Sequence, residues 1–537
     1  MAERIENEKS HEREHLENGP PVKADRIVLK SASDTLGLWA TVKKFPKAIL
    51  VCNLLCIAAA ADGYQINLNG GMLANQGFIN HLGYPDKTGK ISLNANYTAL
   101  WGAMQSLGQL VGMVLLNPIA DKIGRKPMLY VTWVILAGSL ILETLVRDWK
   151  DWAGAKLLAG AGIGALQATL PIYVTEWSPV NIRGAMIVAY GFWNVIGKFL
   201  ANLTLMLVQE VRPSNYRIPI VTQWGLLGLM LPIFIWLPET PAYYAERDQD
   251  ERGKATLKRV NGKVNGYDLE VEYSILKNTI LEEAHARQEF GHDKLNVKQF
   301  FQSYLECFGS KNWRRTIGAA LPGCAQQLAG LAFLNTYASV FFKQSGFTNA
   351  FLITTILCII QLFTATCLML MTDKFGRRTL VFGAVITCIF TLLVVGILGL
   401  VPQTSSLKDL LVFVACVWAF ANAIIGNLGY AFVGEVASQK LRARTAGIAS
   451  GMSVILGLIF NTSLPYMLNT TGANWGYKTA WLFFGTGIAV SFLLYIFLPE
   501  CAKRNPAEID EMYEKGVPAW KMHKFYTDIQ ATHRAAT

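Results

Sequence analysis

Apolar residues gather into twelve runs, each close to the roughly 20 residues a helix needs to cross a bilayer. The runs fall at about 47–69, 96–117, 127–146, 152–176, 184–208, 219–237, 316–342, 350–371, 379–401, 409–434, 443–467 and 478–499. In lipid only a helix satisfies its own backbone, so the pattern predicts an all-α membrane protein with twelve transmembrane helices. Polar residues collect in a tail at 1–46, a partly helix-compatible segment at 239–315 and a tail at 500–537. That central segment splits the runs six and six, predicting two six-helix bundles at 47–238 and 316–499. The first tail reads as disordered and is too polar to hold a cleavable leader.

Charge supports this reading. Only 16% of the residues are charged, against roughly 25% in a soluble chain. The net charge of +11 is carried largely on tails and links. Basic links mark the cytoplasmic face of membrane proteins, a better account of the charge than nucleic-acid binding. DKIGRK, the region around Arg183, the central segment, DKFGRR, QKLRAR and the C-terminal tail all fall on one side of a twelve-helix plot. That side, with both termini, is expected in the cytoplasm. The sequons at Asn96 and Asn469 fall on the other side as candidate glycosylation sites. The cysteines form no CxxC pair and mostly lie in apolar runs, so they read as packing residues rather than metal ligands.

The links also carry a repeat. Asp121, Gly124 and Arg125 in DKIGRK match Asp373, Gly376 and Arg377 in DKFGRR, about half a chain later. A second pair joins it: Glu176 precedes Arg183 by the interval that separates Glu435 from Arg442. Such duplication is the plan of transporters, whose halves rock about a site between them. The glycines permit tight turns. The charges are expected to act as a gate that latches the cytoplasmic side and exchanges partners as the halves move.

Other motifs are excluded. GAGIGA (Gly160, Gly162, Gly164) sits inside an apolar run and reads as close helix packing, not a dinucleotide fingerprint. GYPDKTGKI has the wrong spacing for a phosphate loop. The apolar runs hold no catalytic constellation. An enzyme, a metal and a cofactor are therefore not expected.

Three charges lie inside apolar runs. Asp62 falls about 15 residues into the first run, roughly 22 Å along a helix. Lys198 falls at similar depth in the fifth run, and Lys156 near the start of the fourth. Intramembrane charge faces a cavity or a partner. The expectation is that Asp62 pairs with Lys156 or Lys198, with a snorkelling Lys156 as the alternative.

The paired motifs, LPETP at Leu237 to Pro241 and AQQLAG in the seventh run together resemble the sugar porter family of the major facilitator superfamily. The tail EIDEMYEKGVPAWKMHKF resembles that of fungal α-glucoside (maltose) permeases. The resemblance implies the major facilitator fold, two pseudo-symmetric bundles and transport of a sugar by alternating access. It implies a plasma-membrane protein, expected as a monomer, with protons as possible partners. Gln326 and Gln327 fall on its substrate-binding pair. Gln361, Gly426 and Tyr430 fall on further substrate-side or gating positions. Several family positions differ: Ala332, Ser453, Gly457 and Gly191 stand where the family has amides. Where proton-coupled members have GYD and an arginine, this chain has Gln65 and Lys156, leaving Asp62 as the candidate coupling acid. The alternatives are a carrier of a non-sugar solute, such as an organic acid or a secreted metabolite, and a nutrient sensor.

Overall fold

A computed structural model of the chain describes residues 38–85, 89, 91–179, 182–288, 305–309, 312–436, 442–500, 506–525 and 527. Among the described residues, eleven helices are long and apolar enough to cross a membrane. They include Pro46–Met72, Ala95–Ile123, Arg125–Thr144, Trp149–Trp177, Arg183–Val211 and Arg217–Trp236 in the first half. In the second half, spans eight, nine and twelve begin at Ala350, Arg377 and Gly476. Spans ten and eleven run over Ser405–Val436 and Arg442–Leu468.

The twelfth is span seven, and it is broken. Trp313–Leu328 ends at Ala329, Gly330 takes φ +91°, and a π-turn at Ala332–Thr336 leads into Ala338–Gln344. Glycine accommodates the positive φ without a Cβ penalty. Span two carries a second π-turn at Gly112–Leu116. Such turns concentrate at functional sites, and both supply residues to the central cavity described below.

Within the first bundle, spans two and four, three and four, and one and five pack together. The second bundle pairs seven with ten and eleven, and nine with ten and twelve. Spans two and eleven, and five and eight, join the bundles. The two largest hydrophobic cores lie one in each bundle, and a third, around Phe78, Trp101 and Trp152, reaches Phe351 of the second bundle.

Small residues set the closest crossings. A Cβ on Gly160 or Gly164 would strike the carbonyls of Gln105 and Gln109 on span two. Gly63 meets the Asn194 carbonyl and Gly197 the Ala60 carbonyl, drawing spans one and five together around Asp62. Gly197→Leu is expected to abolish the monodisperse protein peak in size-exclusion chromatography. Gly225→Leu, on an exposed face with nothing within 4 Å, leaves that peak intact.

Short elements flank the spans. Leu38–Lys44 is helical, inside the tail read as disordered. The central segment forms helices at Pro241–Ala245, Asp250–Asn261 and Leu269–Gln288. The Lys277 ammonium holds the Asp250 carboxyl below its ordinary range and ties the last two together.

Candidate functional site

A cavity of about 210 Å³ lies between the bundles. Spans one, two, four and five wall one side; seven, eight, ten and eleven wall the other. Four of the expected substrate residues, Gln326, Gln327, Gln361 and Gly426, line it. The Tyr430 side chain lies outside the described residues. Gly426 leaves the room into which Gln326 Nε2 turns, and that amide donates to Asn422 Oδ1 at 3.5 Å. Gln361 accepts from Asn335 at 3.4 Å.

The amides missing at the family's positions are replaced from elsewhere. Ala332 has no polar side chain, but Asn335, three residues later in the π-turn, faces the cavity. Gly191 leaves a space that Asn427 of span ten fills. Asn422 and Asn461 also line the wall, and each keeps one buried polar atom, Nδ2 and Oδ1 respectively, without a hydrogen-bond partner. Sequence reasoning missed these four asparagines because it checked aligned positions, whereas the amides arrive from neighbouring turns and helices.

Asp62 does not form the expected ion pair. It is fully buried and accepts from Gln167 (3.1 and 3.2 Å), Tyr190 (3.0 Å) and Asn194 (3.0 Å), all uncharged and all lining the cavity. Gln109 donates to Gln167 at 2.6 Å, so a chain of amides runs from the cavity to the acid.

The partner of Lys156 is Glu143, on span three, at 3.0 Å, with both side chains fully buried. Lys156 therefore neither pairs with Asp62 nor snorkels. Its ammonium also sits 4.4 Å from the centre of the Trp152 ring. Gln65 donates to the same Glu143 oxygen. The carboxylate absent at Gln65 is thus supplied from the neighbouring helix. Glu143 was overlooked as the one acid near the end of an apolar run, a position that reads as a loop. Lys198 lines the cavity, and no described carboxylate lies within 4 Å of it.

The repeated link motif forms its described ion pairs inside the first bundle rather than across the seam. Arg125 meets Glu176 at 3.1 Å and Asp121 at 3.3 Å. Gly124 turns with φ +109° and Gly376 with φ +78°. Glu239 accepts from the Lys126 and Thr240 amides, and burial pushes its carboxyl up. Glu500 matches it in the second half, accepting from the Arg377 and Arg378 amides at 3.0 and 3.2 Å. Each caps the helix start after a repeated glycine, where the helix dipole favours an anion. Arg183 is half-buried. The side chains of Asp373, Glu435 and Arg442 lie outside the described residues.

At the far end, away from these motifs, the bundles are sealed. Lys343 donates to the Ala74 carbonyl at 2.8 Å and Asn461 to Ser106 at 3.1 Å. Asn202 donates to Cys358 at 3.2 Å. Asn469 donates to the Leu93 carbonyl at 2.9 Å. The amide nitrogen that would carry a glycan at Asn469 thus faces the Leu93 carbonyl. Asn96 is exposed.

Comparison with known proteins agrees with this geometry. The profile of the family described as "Sugar (and other) transporter" matches residues 51–513. The major facilitator-type transporter ecdD of Aspergillus rugulosus is 25% identical, with 91% of this chain and 90% of that protein covered. Hexose transporter HXT11 of Saccharomyces cerevisiae is 26% identical, with 87% and 83% covered. The inward-open xylose transporter XylE from E. coli superposes with a TM-score of 0.66 at 16% identity, covering 86% of this chain and 99% of that one. At that identity the superposition shows the fold, and it is the major facilitator fold expected from the sequence.

Proposed function

Because this chain belongs to the sugar (and other) transporter family, we propose that it carries a sugar or a close polyol relative across a membrane by alternating access. The carrying observation is the cavity wall: amides from both bundles, with Asn422 Nδ2 and Asn461 Oδ1 buried and unpartnered. Buried polar atoms are normally satisfied. A hydroxyl both donates and accepts, so a polyol suits such a wall. The hexose carriers among its relatives support the class. The tail's likeness to α-glucoside permeases adds disaccharides to the sugars to be tested.

The basic motif end is cytoplasmic in this reading, the setting is the plasma membrane, and a monomer suffices. With the far end sealed, the cavity faces the cytoplasm. Asp62 carries the coupled proton: it sits one amide from the cavity, so substrate and protonation act on the same side chains. Arg125, Glu176 and their repeats steady the motif end, and Glu239 and Glu500 hold the turns.

The test is counterflow in proteoliposomes with hexoses, disaccharides and sugar acids. Saturable exchange of at least one class is expected. Gln327→Leu is expected to lower its kcat/KM about 10-fold to 100-fold, the cost of an unpaired buried hydroxyl. An absence of exchange for every sugar in the panel would remove the reading.

A further inference from the structure

Lys198 is the one formally charged residue among the described residues lining the cavity. Its ammonium has no described hydrogen-bond acceptor and no carboxylate within 4 Å, unlike Lys156, which is matched by Glu143. The nearby acid acts on it through space but makes no ion pair with it. Asp62 lies behind Gln167, Tyr190 and Asn194 and spends both oxygens on them. A cation held in a membrane-embedded cavity is costly unless an anion meets it. Among the described residues no carboxylate forms an ion pair with it: Asp62 and Cys358 act on the ammonium through space only, and the residue lies on the cavity wall.

We propose that the substrate is a polyol bearing one carboxylate, a sugar acid of the hexuronate kind, whose carboxylate is bound by Lys198. This rests on the polyol reading above and narrows it. The two parts of such a molecule meet two different walls. Hydroxyls face Gln326, Gln327 and Asn422 of the second bundle, and the carboxylate faces Lys198 on span five of the first. Because one molecule touches both bundles, its binding depends on how they are placed, which is what couples a ligand to a conformational change. A neutral sugar would leave the cation unmatched, so the cavity discriminates against it.

Isothermal titration of the full chain in detergent with D-glucuronate, D-galacturonate and D-glucose tests this. At least one uronate is expected to bind about tenfold or more tightly than D-glucose, as a charge-assisted bond warrants. That preference should vanish in Lys198→Gln and survive within a few-fold in Lys198→Arg. The ratio of acid to neutral affinity separates recognition from a merely structural role, which would weaken all three alike. Equal affinity for D-glucose and the uronates overturns the proposal, as does a preference that persists in Lys198→Gln. If D-glucose binds and neither uronate does, this inference falls and the polyol reading stands. If no uronate and no neutral sugar binds, both fall.

Discussion

Lys156→Met is expected to destabilise the first bundle by about 3–5 kcal/mol, because it strands the Glu143 carboxylate in a fully buried site. For a bundle of this size that corresponds to a fall of roughly 10 °C in melting temperature. Glu143→Leu should cost a comparable amount by stranding the ammonium. The double replacement should recover most of the loss, since two apolar side chains of similar volume leave no unmatched charge. Melting followed by fluorescence-detected size exclusion distinguishes the cases. Additive losses in the double variant would show that the two side chains do not act as a pair. Gln65 shares the Glu143 oxygen, so Gln65→Leu should have a smaller effect in the same direction.

Asp62→Asn is expected to remove pH-driven accumulation of substrate while leaving counterflow within a few-fold of wild type. The asparagine fits the space but takes up no proton, and its amide group disturbs the donors from Gln167, Tyr190 and Asn194. Uptake and counterflow in proteoliposomes at two external pH values separate these outcomes. Accumulation that still follows the proton gradient in Asp62→Asn would eliminate this carboxyl as the coupling group and leave Glu143 as the next candidate.

Much of the architecture was legible because lipid admits few solutions. Unbroken apolar runs marked the spans to within a few residues, and the central polar segment divided them six and six. Span seven was legible as a span but not as a broken one. Ala329 and Gly330 are unremarkable in an apolar run, and only the tertiary setting turns Gly330 to positive φ. The lining of the cavity was half legible. Gln326, Gln327 and Gln361, singled out in the sequence, line it, while Asn335, Asn422, Asn427 and Asn461 come from helical turns that no linear pattern singles out. The charge pairing was misread for a physical reason. Depth along a helix says which charges share a level, but not which helix faces which, so Asp62 was expected to pair with Lys156 or Lys198, whereas Lys156 meets Glu143. One signal was available and went unused: Leu-Pro-Glu closes both span six and span twelve, at Glu239 and Glu500, and both glutamates cap the repeated turn.

The central claim is that the two bundles must separate at their sealed end for transport to occur. Asn202 on span five already lies 3.2 Å from the native Cys358 sulfur on span eight, across that seal. Asn202→Cys therefore places two thiols across the seam with a single substitution, and Asn202→Ser is its control. Oxidation is expected to arrest counterflow in Asn202→Cys alone, and reduction to restore it. A fully cross-linked Asn202→Cys protein that exchanges substrate at the rate of its reduced form would contradict the account.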